Sequence, residues 1–240
     1  MKTTISLLLA LILSPALNAF DHSDFDSLLK RYVDSKGQVN YATLKSNRAG
    51  LDSYLEKTGA VPESTFKSWS RDEQLAFLIN VYNAETLQLI VDNYPTESIK
   101  KLGGLLSSPW KKKEVILFGE KATLDQVEHD IIRVDYADEP RIHFALVCAA
   151  KGCPPLRAEA FVASRLDAQL DNQTKTFLTD NEKNRIEGET LYLSSIFDWY
   201  GDDFTKNGRT LNDYVDPYMN GSAVGKKIEF TTYDWSLNAQ

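Results

Sequence analysis

The fold is decided by residues 70–95, which read SRDEQLAFLINVYNAETLQLIVDNYP. Ser70 and Glu73 have the spacing of a capping box, in which each side chain bonds the backbone of the other residue. Leu, Ile and aromatic residues then recur at intervals of three and four as far as Asn93, and Tyr94-Pro95 ends the pattern. Because apolar residues also occur on much of the opposite side, the sequence predicts a central, largely buried helix.

Two asparagines interrupt the apolar surface of this helix. Asn83 lies at the edge of the main apolar stripe, and Asn80 lies close by on the same side. Buried amides need hydrogen-bond partners. They therefore either hold the backbone of neighbouring loops or contact a substrate, and both interpretations stay open from the sequence.

A second capped helix carries a carboxylate on its apolar side. A short hairpin around Gly119-Glu120 leads to Thr123 and Gln126, which again match a capping box. The predicted apolar stripe consists of four aliphatic residues, Leu124, Val127, Ile131 and Val134. Glu128 projects inside this stripe and His129 at its margin. A carboxylate there is paired, protonated or functional, so Glu128 is either a structural partner for an Arg or His, or an acid–base group.

Both cysteines lie in residues 141–156, which read RIHFALVCAAKGCPPL. The apolar run predicts a strand that ends at a shielded thiol, Cys148. A regular strand would place His143 and Cys148, five residues apart, on opposite faces. Cys153 precedes Pro154-Pro155, which favours a helix start, and backbone N–H groups at a helix start lower the pKa of a thiol.

The cysteine pair allows several chemistries. Cys148 and Cys153 form a disulfide, or they include a reactive or redox thiol at Cys153 assisted by a histidine, or both are inert buried thiols. A metal site that adds His143 or His129 is a further alternative. The C-x4-C spacing is not a usual zinc spacing, and a fourth ligand would have to come from elsewhere in the chain. No cofactor is therefore predicted, with zinc as the alternative.

Residues 1–19 predict a secretory signal peptide. Lys2 precedes an apolar run from Ile5 to Leu13, and the segment ends with the small-residue pattern 16-ALNA-19. The run is too short to span a bilayer comfortably as a mature helix. We expect cleavage after Ala19 and a periplasmic or secreted protein whose mature form has no membrane segment. An oxidising compartment favours pairing of two nearby thiols.

Charge and composition narrow the classes of partner. The chain is 42% hydrophobic with a net charge of −7, and removal of residues 1–19 leaves 26 basic against 34 acidic residues, a net of −8. This charge argues against nucleic acid or an anionic membrane as a partner, and it leaves a small molecule or a peptide. Residues 20–240 contain no visible repeat or low-complexity tract and are expected to form one domain.

The remaining segments set the fold class. They predict an amphipathic helix over 158–178, a hairpin around Gly188, an aromatic helix over 194–200 and an alternating strand over 227–235. Helices dominate a small, mainly antiparallel sheet. The predicted class is α+β, a single helix-rich domain around that sheet.

Five motifs, in this order, resemble those of the domain of unknown function 547 family. They are FLINVYNA at 77–84, EHDIIR at 128–133, RIHFALVC at 141–148 continuing to CPPL at 153–156, FDWY at 197–200 with Asp203-Phe204, and YDWSLN at 233–238. The resemblance covers about residues 70–238. It implies a shared fold and shared positions, but it implies no reaction, because the family name itself states that the function is unknown. Gly152 departs from the pattern, where a small polar residue such as Ser is expected.

Two functional hypotheses follow from the reactive side chains in these motifs. An exported thiol-dependent hydrolase, acyltransferase or redox enzyme would use Cys153 as nucleophile, His143 or His129 as base, and Glu128 or Asn83 to orient that base.

The alternative is a non-catalytic module that binds a ligand or partner, with a Cys148–Cys153 disulfide and a pocket lined by the histidines, Arg141 and Trp199. Asn80 and Asn83 complete the candidate substrate contacts.

Overall fold

The structure, a computed structural model, describes residues 19–104 and 107–240. The predicted signal peptide, apart from Ala19, lies outside the described residues. The α-helices are α1 Ser23–Tyr32, α2 Tyr41–Ser46, α3 Ala49–Gly59, α4 Glu63–Lys67, α5 Arg71–Asn93, α6 Pro109–Lys112, α7 Leu124–Gln126, α8 Arg133–Asp135, α9 Ile142–Ala145, α10 Leu166–Leu178, α11 Ile196–Trp199, α12 Gly201–Phe204 and α13 Leu211–Val215. Within the described ranges, no helix combines the length and the apolar character needed to cross a membrane.

The strands are β1 Glu114–Leu117, β2 Glu120–Thr123, β3 Arg185–Glu187, β4 Thr190–Ser194 and β5 Lys227–Thr231. Short 3₁₀ turns occupy Ile99–Leu102, Ala163–Arg165, Lys206–Gly208 and Asp216–Tyr218. The predicted helix-rich α+β class is confirmed. The strands form two small sheets, however, and a helix lies at the centre of the larger core.

The central helix α5 has the predicted bounds. The Ser70 side chain accepts the N–H of Glu73, and the Glu73 carboxylate accepts the N–H of Ser70 at 2.7 Å, so the capping box is complete. Buried residues occur on every side of the helix between Leu75 and Val91. The helix packs against α2, α3 and the turns at 127–132 and 163–165. The helix is therefore buried on all sides, and its apolar residues form the centre of the larger core.

Asn80 and Asn83 tie two loops to this helix. The Asn80 side chain donates to the carbonyl of Phe161 at 2.8 Å and accepts the Phe161 N–H at 2.9 Å. Asn83 donates to the carbonyl of Ala145 and accepts the N–H of Val147, both at 2.9 Å. Because both ends of each amide bond backbone groups, the structure supports the loop-holding interpretation.

The two sheets differ in pairing. Strands β1 and β2 form an antiparallel hairpin whose turn residues Phe118 and Gly119 have φ of 58° and 80°, as a tight two-residue turn requires. Strands β3 and β4 are antiparallel around Gly188, whereas β4 and β5 are parallel, with Leu191 opposite Ile228. The sheet of β3, β4 and β5 supports a second, smaller core with Phe144, Phe177, Phe197 and Phe204.

Residues Ile142–Ala145 form a helix that ends three residues before Cys148, and the prediction of a strand there was wrong. Helix α9 is buried at all four positions, with Ile142 and Ala145 in the larger core and Phe144 in the smaller one. A short apolar run cannot by itself distinguish a buried helix from a buried strand. The argument that separated His143 from Cys148 by strand alternation therefore fails.

The predicted helix start at Pro154-Pro155 was also wrong. Residues 154–157 are irregular, and the next helical turn is Ala163–Arg165, which leads into α10 at Leu166. The predicted helix over 158–178 thus begins later than expected. Cys153 has no helix start beside it.

Residues Val127–Ile132 form a π-helix between α7 and α8. A π-turn inserts extra residues relative to an α-helix and shifts the phase of everything that follows. Leu124 and Val127 are buried as predicted, but Ile132 then takes the buried position, and Val134 is 62% exposed. The predicted stripe was therefore wrong at its C-terminal end.

Candidate functional site

A cavity of about 260 Å³ brings the distant sequence motifs together. The residues that line it are Tyr82, Trp110, Asp125, Glu128, His129, His143, Leu146, Cys148, Cys153, Pro154, Ile196, Trp199, Tyr200, Tyr233 and Trp235. The four predicted catalytic residues, Cys153, His143, His129 and Glu128, are all in this lining. π-turns often occur at functional sites, and here one presents Glu128 and His129 to the cavity.

The two cysteines are free thiols in direct contact. Their Sγ atoms lie 2.6 Å apart, and no disulfide is formed. The Cys148 N–H donates to Cys153 Sγ at 2.8 Å, and the Tyr233 hydroxyl lies 3.0 Å from Cys148 Sγ. Ala149, between them, is held in the left-handed region at φ 56°. Such strain in a residue other than glycine is typical of sites that need one fixed geometry.

The surroundings shift the pKa values of the two thiols in opposite directions. Burial alone would raise the pKa of Cys153, but hydrogen bonds from Cys148 and Tyr233 outweigh burial and hold that pKa below its ordinary value. The hydrogen bond to Cys153, together with burial, raises the pKa of Cys148 well above its ordinary value. Cys153 is therefore the more acidic of the two thiols, and Cys148 the one that keeps its proton to higher pH.

Exposure of the two thiols is the reverse of the prediction. Cys153 is only 4% exposed, whereas Cys148, predicted to be the shielded one, is half-buried. The lower pKa of Cys153 has the predicted direction, but its cause is a local set of donors and not a helix start.

The C-terminal segment fixes the loop between the cysteines. Lys151 N–H donates to Ser236 at 2.9 Å, and Gly152 N–H donates to Asp234 at 2.8 Å. A β-carbon on Gly152 would lie 2.9 Å from the Asp234 nitrogen and 2.9 Å from a Tyr233 ring carbon. The glycine, noted above as a departure from the family pattern, thus allows the close approach that places Tyr233 beside the sulfurs.

His143 is oriented by a carboxylate that was not among the sequence candidates. Its Nε2 donates to Asp203 Oδ2 at 2.8 Å, and Arg133 Nη2 lies 2.8 Å from the same oxygen. The hydrogen bond from His143 and the Arg133 charge hold the pKa of Asp203 well below its usual range, against the effect of burial. Arg133 Nη1 also donates to His129 Nδ1 at 3.1 Å. The sequence signal for Asp203 was its place beside Phe204 in the aromatic motif.

Glu128 is held by two tyrosines. Its Oε2 accepts the Tyr82 hydroxyl at 2.6 Å, and its Oε1 accepts the Tyr200 hydroxyl at 3.1 Å. Burial, followed by the charge of Glu128, raises the pKa of both hydroxyls well above the ordinary tyrosine value. The predicted partners of Glu128, an arginine or a histidine, were wrong. Tyrosines are less conspicuous in sequence because a hydroxyl donor carries no charge.

The predicted orienting groups do not contact the imidazoles. Glu128 bonds tyrosines and Asn83 bonds backbone, so Asp203 takes the orienting position at His143. Among the residues that the structure describes, no hydrogen bond joins either imidazole to either sulfur. The thiol pair and the His143–Asp203 pair are separate units of the same cavity.

Three of the four predicted substrate contacts lie away from the cavity lining. Asn80 and Asn83 are engaged with backbone, and Arg141 forms ion pairs with Glu139 at 2.6 Å and with Asp167 at 2.8 Å. Trp199 does line the cavity, and it is 46% exposed. Its ring stacks on that of Trp235 with centroids 5.7 Å apart. Trp110, Trp235 and Tyr233 were missed, because aromatic residues are equally common in cores.

Residues 19–104 and 107–240 contain no group of three or more His, Cys, Asp or Glu side chains placed to hold a metal ion. Of the cavity histidines, His143 bonds Asp203 and His129 bonds Arg133, and the two sulfurs contact each other as free thiols.

The difference in pKa between the thiols gives a direct prediction. Limited alkylation of the native, reduced protein between pH 5 and 9, resolved by peptide mapping, is expected to modify Cys153 at lower pH than Cys148, because only the thiolate reacts. Unfolded protein provides the control, in which the two apparent pKa values should coincide. Modification of Cys148 at the lower pH would contradict the assignment.

Asp203→Asn is expected to lower the free energy of unfolding by about 2 kcal/mol at pH 7, because a carboxylate that bonds His143 and Arg133 becomes neutral. The pKa of Asp203 is depressed in the folded state, so its contribution is complete above the unfolded value of about 3.9 and is lost as pH falls further. Denaturant melts should therefore show the difference between wild type and variant shrinking below about pH 5.

The exposed neighbour provides the matched control for this experiment. Asp202→Asn should change stability by no more than about 0.5 kcal/mol. A difference between wild type and Asp203→Asn that persists undiminished at pH 3 would show that the charge of Asp203 is not what stabilises the fold.

A family model matches the middle of the chain. Residues 66–178 match the family model described as "Protein of unknown function, DUF547". The matched segment is shorter than the 70–238 that the motifs predicted, and it ends before those at 197–204 and 233–238. No curated protein and no solved structure matches the chain.

Proposed function

Because this chain belongs to the DUF547 family, whose description carries no reaction, we propose a function from the site itself. The protein is a thiol-dependent redox enzyme that carries out thiol–disulfide exchange with Cys153 and Cys148. One observation carries the proposal: two free sulfurs lie 2.6 Å apart in the cavity wall, and their surroundings lower the pKa of Cys153 and raise that of Cys148. An attacking and a resolving thiol need this division.

The exchange has two balanced steps. The Cys153 thiolate attacks one sulfur of a substrate disulfide, the substrate S–S bond breaks, and one thiolate leaves and takes a proton from water. Cys153 then holds a mixed disulfide and no longer carries a charge. The interaction that raised the pKa of Cys148 is thereby removed, so Cys148 loses its proton more easily. It attacks Cys153 Sγ, a Cys148–Cys153 disulfide forms, and the second substrate thiol leaves.

The exported location predicted by residues 1–19 completes the proposal. In an oxidising periplasm or extracellular space, the resting protein would carry the Cys148–Cys153 disulfide, and a partner thiol would reduce it in the reverse of the two steps. The substrate class is a small molecule or a peptide, because a cavity of about 260 Å³ is small for a binding site.

Trapping of the mixed disulfide tests this function. Reduced Cys148→Ser protein, mixed with bis(2-hydroxyethyl) disulfide at pH 7.5, is expected to stop after the first step and to gain one mercaptoethanol group at Cys153 by mass spectrometry. The wild type should instead lose both thiols without an adduct. Cys153→Ser protein provides the control and should gain its adduct far more slowly. If wild-type protein keeps two free thiols in excess disulfide, the proposed function is wrong.

A second candidate, acyl transfer, is favoured by the His143–Asp203 pair in the same cavity. A carboxylate that fixes an imidazole is the arrangement by which nucleophilic enzymes orient their base. Cys153 would form a thioester, and His143 would give a proton to the leaving group. An aryl ester should then give a burst of acyl-enzyme that His143→Gln removes, whereas exchange with a disulfide should survive that substitution.

The non-catalytic binding module keeps a distinct expectation. It requires that neither a mixed disulfide nor an acyl-enzyme accumulate at Cys153, while the Cys148–Cys153 disulfide forms and persists in the presence of reducing thiols.

A further inference from the structure

The cavity beside the thiols is walled by aromatic rings. Six of the lining residues are Trp110, Trp199, Trp235, Tyr82, Tyr200 and Tyr233. The ring centroids of Trp199 and Tyr233 are 4.8 Å apart, and those of Tyr233 and Trp235 are 4.6 Å apart, so these three rings form a continuous wall. The face of an aromatic ring is electron-rich and attracts cations, tryptophan most strongly.

The charged side chains in the same wall are acidic. Asp125 and Glu128 are in the lining, and no lysine or arginine of the described ranges joins them there. Glu128 is buried, and its oxygens accept only tyrosine hydroxyls, so no ion pair within the described ranges balances its charge. A buried carboxylate without a cationic partner favours a cation from outside the chain.

Rings of this wall already attract cations within the chain. The Lys100 ammonium lies 4.6 Å from the centre of the Trp235 ring, and the Arg133 guanidinium lies 4.9 Å from the centre of the Tyr200 ring. The Arg133 charge is engaged by Asp203, 2.8 Å away, and so is already paired. These two cations each occupy one face of their ring, whereas no Lys or Arg of the described ranges lies over the rings of Trp110, Trp199 or Tyr233.

We infer that this cavity binds a small molecule that carries an alkylated ammonium group, and that the disulfide reduced at Cys153 belongs to such a molecule. The ammonium group lies against the tryptophan faces with Glu128 as counter-charge. The second part rests on the proposed thiol–disulfide exchange, and the first part does not. For a diammonium disulfide, two ammonium thiols leave as the Cys148–Cys153 disulfide forms, with two electrons passing to the substrate.

Binding is tested with choline and its neutral isostere 3,3-dimethylbutan-1-ol. Because three of the four tryptophans of the chain line the cavity, tryptophan fluorescence reports occupancy. Choline is expected to give a saturable change and to bind at least about 10-fold more tightly than the isostere. If choline gives no saturable change, or if the isostere binds equally well, the inference is overturned.

Two variants locate the binding. Glu128→Gln should weaken choline binding by about 5- to 10-fold, whereas Glu114→Gln, an exposed carboxylate on β1, should leave it unchanged. Trp199→Ala removes a half-exposed ring and should also weaken choline binding, so the test survives if Glu128→Gln fails to fold. Unchanged choline affinity in both cavity variants would place the cation elsewhere.

Substrate preference is tested with three small disulfides of different charge. They are the cationic cystamine, the neutral bis(2-hydroxyethyl) disulfide and the anionic dithiodiglycolate. The rate at which the protein reduces each disulfide is divided by the rate at which free 2-mercaptoethanol reduces the same disulfide. Cystamine should react fastest by about 10-fold, with competitive inhibition by choline. Choline binding without reduction of any disulfide would overturn the exchange function and leave the cation site standing. Reduction of all three disulfides at similar rates, without choline binding, would overturn the cation site and leave the exchange function standing.

Discussion

Cys153→Ser is expected to reduce the rate of disulfide reduction by roughly 1,000-fold or more, because a serine hydroxyl is not ionised at neutral pH and cannot replace the thiolate that attacks. Cys153 Sγ accepts the Cys148 N–H at 2.8 Å and has a lowered pKa, so it is the sulfur on which the first step depends. The measurement is the release of thiol from bis(2-hydroxyethyl) disulfide under single-turnover conditions.

Cys148→Ser provides the matched control for this prediction. Its first step should proceed within about tenfold of the wild-type rate, since the substitution keeps the backbone N–H that bonds the Cys153 sulfur, but the reaction should stop at the mixed disulfide. Thermal melts of both variants exclude unfolding as the cause. If Cys153→Ser keeps the wild-type rate and Cys148→Ser loses the first step, the roles of the two sulfurs are reversed.

The helices with strong local signals were predictable from the sequence. The capping residues at Ser70, Thr123 and Thr210 each satisfy backbone groups at a helix start, and all three capping boxes are present. The hairpin was also predictable from Gly119, which accepts positive φ, but its turn residues are Phe118 and Gly119, one position before the predicted Gly119-Glu120. These signals depend only on neighbours within a few positions in the chain.

The errors occur where tertiary contacts override local pattern. The run 142–147, apolar except for His143, fits a buried strand as well as a buried helix, and residues 142–145 form helix α9 between the two cores. The π-turn at 127–132 has no sequence periodicity of its own, so the burial of Ile132 in place of Val134 could not be foreseen. Pro154-Pro155 permits a helix but does not require one.

The site was predicted only in part, because some of its residues are recognisable by type and others only by their tertiary contacts. Cys153, His143, His129 and Glu128 are reactive or charged types, and each was identifiable as a candidate by its chemistry alone. Asp203, Tyr200 and Tyr233 contribute through contacts with residues 60 to 85 positions away, which a single sequence does not encode visibly. The close approach of the C-terminal segment to Gly152 is likewise a contact between residues distant in sequence, which a single sequence does not show.

Asn83→Leu is expected to lower the free energy of unfolding by about 3 kcal/mol, because leucine branches at the same carbon as asparagine but strands two buried backbone groups. The amide bonds the Ala145 carbonyl and the Val147 N–H, both at 2.9 Å, and it is buried on the central helix. Denaturant melts measure the change. Asn93→Leu provides the control, since Asn93 is exposed at the end of the same helix and should cost no more than about 0.5 kcal/mol.

The same substitution links the fold to the site. Ala145 and Val147 lie on either side of the extended residue Leu146, just before Cys148. Loss of both hydrogen bonds from Asn83 would therefore free the segment that positions the Cys148 N–H, which bonds Cys153 Sγ. Alkylation at pH 7 should therefore show a smaller difference between the two cysteines in Asn83→Leu than in the wild type. An unchanged melting midpoint together with loss of ligand binding would instead mean that Asn83 acts on the ligand.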